Sequence, residues 1–180
     1  SCTVFEDRDR CPNYLTVDMR EVDKTIKDWQ MWLFDENGTL LYKDTIFRRS
    51  YSEPYVVSVP RANEVKCLMW GNMRNATHIE ETYSYGTYFE KFPDVWADSL
   101  YFFADTISTN KEDSYVKPVP GKEFATVDVF IKGWAGNEYE AEVALICASS
   151  GFYVSKEFLV KEAVTYAEVY ERGNYFTHFR

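Results

Sequence analysis

Histidine is nearly missing from this chain of 180 residues, which contains only His78 and His178. Enzymes with a serine or cysteine nucleophile commonly pair it with a histidine that a carboxylate orients. Sequence alone does not show which side chains lie near either histidine, and we expect neither to be catalytic. The weaker enzymatic alternative is a hydrolase around His78 or around the paired carboxylates Glu80 and Glu81, the residue type that glycosidases use. The sequence therefore predicts a non-enzymatic protein.

Basic residues are also in deficit, with 20 Lys and Arg against 29 Asp and Glu and a formal net charge of -9. A negative protein repels nucleic-acid phosphates and anionic lipid surfaces, so we expect no nucleic-acid partner. Long apolar runs are missing as well, because the longest, residues 143–148, is far shorter than the roughly 20 residues of a membrane-spanning helix. No basic and apolar signal segment precedes Ser1, so we expect a mature or trimmed chain.

Cysteine is sparse, and its four positions show neither Cys-x-x-Cys nor Cys/His ligand spacing. We therefore expect no metal and no cofactor. Cys67 and Cys147 lie in predicted strands, where a cysteine is usually a small buried hydrophobe. Cys2 lies beside the terminus and could carry acyl chains that anchor the protein in a membrane, or it could be a free or disulfide-bonded thiol. The disulfide pattern of Cys11, Cys67 and Cys147 stays open.

Aromatic residues, in contrast, are abundant at 18% of the chain, and together with Val and Thr they favour strands. We therefore expect an all-β fold. The strongest local signal is a hairpin over residues 28–46, where an apolar run at 29–34 is followed by a second segment rich in apolar residues at 39–46. Between the two runs, Asn37-Gly38 can take the positive-φ positions of a tight turn. The apolar first run predicts a strand that is buried on both faces.

Period-2 alternation and turn residues predict further strands on both sides of Pro120-Gly121, which we take as a domain boundary. Prolines bracket the predicted strand at 54–60, which places it at a sheet edge or makes it short. The chain thus divides into a charged tether (1–13), a first β-sandwich domain (14–120) and a second, short or partial β-sandwich domain (121–180). The predicted strands cover residues 14–20, 54–60, 64–72, 100–104, 114–119, 125–131, 139–147, 151–160, 164–170 and 175–179.

Residues 73–98 show no periodicity, which predicts a long connection that is crowded with aromatic side chains. Such a connection either packs against the core or exposes an aromatic surface that binds a ligand. Because Tyr and Trp faces can stack on sugar rings, Tyr83, Tyr85, Tyr88 and Trp96 are candidate ligand-binding residues.

Several segments, taken in order, resemble the FimB-like anchor lipoproteins of Bacteroides-type fimbriae. They are Cys2, Glu6-Asp7-Arg8 and Cys11-Pro12 near the start, Leu-Phe-Asp-Glu-Asn-Gly in the hairpin, Cys-Leu-Met-Trp-Gly-Asn at 67–72, Leu-Tyr-Phe at 100–102, and residues 127–133. The resemblance covers most of residues 2–133.

The resemblance implies a surface-exposed lipoprotein of the outer membrane, lipidated at Cys2, with two transthyretin-like (Greek-key) β-sandwich units. It implies no catalytic residue. The partner would be a fimbrial shaft subunit, bound by strand addition to a second unit that is apparently short of strands, and the protein would anchor or cap the fimbria. Relatives carry a fuller second sandwich than residues 122–180 supply, which leaves open a shortened relative or a trimmed chain. The alternative is a surface carbohydrate-binding module that uses the aromatic segment 83–96.

Overall fold

The structure is a computed structural model that describes residues 11–47, 52–73, 77–91, 99–124, 127–130, 143–167, 170–172 and 174–179. These residues form strands and no helix, so the predicted all-β class is confirmed. The strands are β1 (Asn13–Val17), β2 (Asp28–Phe34), β3 (Leu40–Phe47), β4 (Tyr55–Val59), β5 (Val65–Gly71), β6 (Thr77–Glu80), β7 (Tyr88–Lys91), β8 (Tyr101–Ile107), β9 (Asp113–Val116), β10 (Gly121–Lys122), β11 (Val127–Phe130), β12 (Val143–Tyr153), β13 (Phe158–Ala167), β14 (Tyr170–Arg172) and β15 (Asn174–Phe179).

The strands form four sheets, with the strand orders β4-β1-β9, β10-β8-β5-β2-β3, β13-β12-β7-β6 and β11-β15-β14. All neighbouring strands in these sheets are antiparallel except β1 and β9, which are parallel. Antiparallel pairing suits the short turns that the sequence predicts. The transthyretin-like topology stays a prediction.

The predicted hairpin over 28–46 is confirmed as β2 and β3, which pair from Asp28 opposite Phe47 to Phe34 opposite Leu40. Gly38 takes a φ of 78°, while Asn37 does not share this conformation. The Asp35 carboxylate instead accepts hydrogen bonds from the backbone N–H groups of Asn37 and Thr39, at 2.9 and 2.8 Å. The turn is therefore closed by Asp35 and Gly38 rather than by two left-handed residues.

Strands β2 and β5 are buried on both faces, as the sequence predicted for β2. Along β2, Trp29, Met31 and Leu33 pack toward one core, and Trp32 and Phe34 pack toward another. Alternate residues of a strand point to opposite faces, so a strand between two cores is apolar without interruption. The five-stranded sheet is thus the middle layer of three.

The first core lies between the five-stranded sheet and the sheet β4-β1-β9. The second core lies between the five-stranded sheet and the end of the sheet β13-β12-β7-β6, where Trp70, Phe89 and Val154 are buried together. The predicted edge position of the proline-bracketed strand is confirmed, because β4 is the outermost strand of its sheet.

Two predictions about strands were wrong. Residues 73–98 contain β6 and β7, because pairing with β12 completes strands that local periodicity does not show. The strands predicted at 139–147, 151–160 and 164–170 have other bounds, because the chain forms β12 from Val143 to Tyr153 and β13 from Phe158 to Ala167. The register between these two strands shifts on each side of Ser149. Such irregularities let one strand bend without ending.

The division at Pro120-Gly121 stays a prediction, and two pairings run across it. Gly121 belongs to β10, which pairs with β8. Strand β12 pairs with β7, so one sheet takes strands from both predicted domains.

Candidate functional site

Strand β12 offers an open strand edge in the part of the chain that the structure describes. On one side it pairs with β13 from Val143 to Phe152. On the other side it pairs with β7 over Gly151, Phe152 and Tyr153 alone. We name residues 143–150, on the side away from β13, the acceptor edge. Among the described residues no strand pairs with this edge.

Gly151 marks the place where pairing with β7 begins. A Cβ atom at this position would lie 1.9 Å from the Phe89 carbonyl oxygen, so only glycine permits the close approach of the two backbones. Next to it, the Ser150 hydroxyl donates a hydrogen bond of 3.0 Å to the Glu90 carboxylate. The strand is therefore fixed to β7 at one end and extends past it at the other.

The acceptor edge has an apolar and uncharged sequence, Val-Ala-Leu-Ile-Cys-Ala-Ser-Ser. Ala144 is exposed, and Ile146 has 66% of its surface exposed. Sheet edges are normally protected by charge or proline. The edge strand β4 follows this rule between Pro54 and Pro60, and Lys111 and Glu112 precede β9. The acceptor edge itself contains neither a charged residue nor a proline, and its nearest charges are Glu142, which directly precedes it in sequence, and the Glu90 carboxylate bound to Ser150 at its other end.

The sequence predicted a strand over 139–147 with Ala144 and Ile146 on one face, but it did not single out these two residues as a binding surface. Both lie in the longest apolar run of the chain, residues 143–148. An apolar run that is too short for a membrane and lies in a strand has a second explanation, which is contact with another protein strand.

The aromatic candidates do not form one exposed row among the described residues. Tyr83 is 74% exposed and has a left-handed φ of 52°. Tyr85 is half-buried, with its ring 4.7 Å from that of Phe34, and the half-buried Tyr88 packs at 6.0 Å against Tyr153. These rings mainly serve packing. Trp96 lies outside the described residues.

The two acidic candidates, Glu80 and Glu81, have different partners. The Glu81 carboxylate pairs with Lys43. The carboxylate of Glu80 lies 3.8 Å from Nε2 of His78. The two acids thus have different partners and show no shared catalytic geometry. His178 lies in β15, where its backbone is opposite Asp128 of β11. The side chain of His178 is not described.

Of the cysteines, Cys11 is disulfide-bonded and Cys67 is a free, buried thiol. Burial, with a smaller contribution from Asp105, raises the pKa of Cys67 to about 12, which makes this thiol a poor nucleophile. The predicted lipidation site Cys2 lies outside the described residues.

Within the described ranges, no three or more His, Cys, Asp or Glu side chains come together in a group that could hold a metal ion. No stretch of the described chain forms an apolar helix of the length that a bilayer crossing demands.

Neither a family model nor a curated protein sequence matches this chain. Solved structures match it well. The fimbrial anchor protein Mfa2 from Porphyromonas gingivalis has a TM-score of 0.72 at 14% identity, over 94% of this chain and 72% of that one. A candidate polysaccharide-binding protein from Bacteroides thetaiotaomicron has a TM-score of 0.71 at 10% identity, over 94% and 70%. A candidate adhesin from the same species has a TM-score of 0.69 at 12% identity, over 94% and 70%. The resemblance to fimbrial anchor proteins is thus confirmed at the level of the fold.

Proposed function

We propose that this protein is a non-enzymatic, surface-exposed component of a fimbria that anchors or caps the fibre by binding a shaft subunit through strand addition. The observation that carries the proposal is the uncharged acceptor edge of β12 with the exposed Ile146. The shared fold supports it, since one protein of this fold is named a fimbrial anchor.

An added strand would form hydrogen bonds with the backbone groups along residues 143–150, and its apolar side chains would cover Ala144 and Ile146. Each backbone hydrogen bond contributes about 0.5–1.5 kcal/mol net, so several of them in a row, with apolar contact, hold a partner firmly. This gives long-lived attachment without chemistry, which is the task of an anchor.

The test of the protein role is deletion in the native host, scored for fibres on cells and fibres shed into the medium. We expect deletion to release or lengthen the fibres and the wild-type chain to restore them. Ile146→Lys should fail to restore them, because it places a charge beside the acceptor edge. Val119→Lys is the matched control, since Val119 is 78% exposed and lies outside the strands. Unchanged fibre length and retention after deletion would contradict the proposal.

The membrane part of the proposal is that Cys2 is acylated and holds the protein at the outer membrane. One acyl chain binds a membrane only marginally, whereas two or more hold a domain firmly. Cell fractionation tests this directly, and we expect Cys2→Ser to move the protein out of the membrane fraction. Retention of the variant there would place the anchor elsewhere.

The second candidate function is carbohydrate binding through the segment 83–96, and the observation that favours it is the exposure of Tyr83. One protein of this fold is described as a candidate polysaccharide-binding protein. Glycan-array binding that is lost in Tyr83→Ala, together with unchanged fibres in the deletion strain, would favour this function over anchoring.

A further inference from the structure

The outer face of the sheet β4-β1-β9 carries exposed aromatic side chains that neither core uses. Its inner residues, such as Leu15 and Val17, pack into the first core. Register places Thr16 of β1 between Val56 and Tyr115. Two residues earlier in β1, Tyr14 lies between Ser58 of β4 and Asp113 of β9. We name these six positions, Tyr14, Thr16, Val56, Ser58, Asp113 and Tyr115, the outer face.

Three outer-face side chains are more exposed than buried: Tyr14 at 52%, Val56 at 56% and Tyr115 at 58%. Neighbouring strands lie about 4.8 Å apart and rise about 3.3 Å per residue, so the backbones of Tyr14 and Tyr115 are separated by about 8 Å. Two rings at this distance on one sheet face can contact a single chain molecule at once.

The ring of Tyr115 is held in place although its face is open to solvent. Its hydroxyl donates a hydrogen bond of 2.8 Å to Oδ2 of the buried Asp18. The same carboxylate accepts two hydrogen bonds from the Arg20 guanidinium, at 2.9 Å from Nε and 2.7 Å from Nη2. A ring fixed in this way loses little conformational freedom on binding, which is the property of a preorganised ligand contact.

We infer that the outer face is a binding site for a neutral glycan chain. Tyrosine combines an apolar ring face with a polar tip, which matches the C–H faces and hydroxyl groups of sugars. Thr16, Ser58 and Asp113 add hydrogen-bonding groups beside the rings.

The charge of the surface decides which glycans fit. Of the six described positions, one is acidic, Asp113, and none is basic. The two cations next to Tyr115, Arg20 and Lys117, are each paired with a carboxylate, Asp18 and Glu21. With a net charge of -9 on the chain, the surface therefore disfavours sialylated or sulfated chains. The three polar side chains also divide the apolar surface into small patches, which suits a sugar better than a large protein interface. The inference is independent of strand addition, because the outer face and the acceptor edge lie on different sheets.

Saturation-transfer-difference NMR with defined chains tests the inference. The neutral probes are maltohexaose, mannohexaose and xylohexaose, and the anionic comparators are sialyllactose and a heparin hexasaccharide. We expect at least one neutral chain to bind and neither comparator to do so. Tyr14→Ala should weaken that binding about two- to tenfold, the range for one aromatic contact.

Two further variants make the site assignment specific. Tyr115→Phe keeps the ring but loses the hydrogen bond to Asp18, so it should weaken binding by less than Tyr14→Ala while the protein stays folded. Tyr83→Ala removes a tyrosine elsewhere that is even more exposed, at 74%, and should leave binding unchanged.

The inference is overturned if none of the three neutral chains binds, if an anionic comparator binds in preference, or if Tyr83→Ala rather than Tyr14→Ala abolishes the signal. Self-association that Tyr14→Ala reverses, in the absence of glycan binding, would identify the outer face as a contact between copies of the chain and would equally overturn it.

Discussion

Asn72, at the end of β5, ties several segments together through a backbone conformation that few residues adopt. Its φ is 64° and it is buried. Its side-chain Nδ2 donates hydrogen bonds to the backbone carbonyls of Thr25 and Ser99, at 3.3 and 3.1 Å. Its Oδ1 accepts a hydrogen bond of 2.8 Å from the backbone N–H of Lys27. Asparagine is suited to this place because it tolerates the left-handed region and bonds locally.

We predict that Asn72→Ala lowers the free energy of unfolding by about 3–5 kcal/mol. The loss combines about 1 kcal/mol for a left-handed alanine with three lost hydrogen bonds and the buried groups left without partners. Asn72→Gly should cost about 1 kcal/mol less, because glycine adopts the same φ freely. Urea unfolding of both variants checks this. Equal stabilities for Ala and Gly would show that the backbone conformation contributes nothing.

A second residue-scale prediction concerns acid. Hydrogen bonds from the Arg20 side chain, the Tyr115 hydroxyl and the Arg20 backbone N–H hold the pKa of Asp18 well below its usual value. A carboxyl with a depressed folded pKa stabilises the protein fully above its unfolded pKa of about 4. That stabilisation is lost progressively as the pH falls from about 4 toward the folded pKa.

Urea-unfolding midpoints of the wild type and Asp18→Asn between pH 3 and 7 measure this effect. We expect a constant difference between them above about pH 5 and a narrowing difference below about pH 4, because only the wild type loses a charged partner of Arg20. Parallel curves over the whole range would exclude Asp18 as a source of acid sensitivity.

At the scale of elements, the pairing of β7 with β12 depends on one missing side chain. We predict that Gly151→Val separates the two strands, since its Cβ would overlap the Phe89 carbonyl and approach the Glu90 Cα at 2.7 Å. Hydrogen exchange of the β7 amides should rise strongly. Gly121→Ala is the control, because a Cβ there meets its nearest atom at an ordinary 3.5 Å. Unchanged protection of β7 in Gly151→Val would show that the strands tolerate a shift.

Strands with a complete local signal could be predicted from sequence, and strands that depend on a distant partner could not. β2 was predicted because the apolar run from Trp29 to Phe34 and the turn at Gly38 are both local. β6 and β7 were missed because short segments such as Tyr88–Lys91 become strands only by pairing with residues far along the chain. Tertiary context overrides weak local preference in such cases.

The candidate site, too, could be predicted from the sequence only in part. The sequence predicted a second unit that is short of strands, and this stays a prediction. It did not indicate which edge is open, because this depends on where pairing with β7 stops at Gly151. The outer face could not be predicted from the sequence, since Tyr14 and Tyr115 are far apart in the chain. They come to the same sheet face only through the parallel pairing of β1 with β9.

At the scale of the whole molecule, the second core joins the two predicted domains. The Trp70 indole of β5 donates a buried hydrogen bond of 3.0 Å to the Val154 carbonyl. Its ring lies 4.7 Å from that of Phe89 and 5.3 Å from that of Phe152. The sheet β13-β12-β7-β6 is therefore held on the five-stranded sheet by contacts that independent domains would not share.

This coupling predicts that the five-stranded sheet and the β12-β13 hairpin lose stability together. Trp70→Phe removes the hydrogen bond to Val154 and part of the ring contact, for which we expect about 1–3 kcal/mol of destabilisation. If the two parts unfold as one unit, hydrogen-exchange protection of β5 and of β13 should fall by the same factor in this variant. Tyr14→Phe, a change on the exposed outer face, is the control and should alter neither. A loss confined to β5, with β13 unaffected, would show that the chain unfolds as the two independent domains that its sequence predicts.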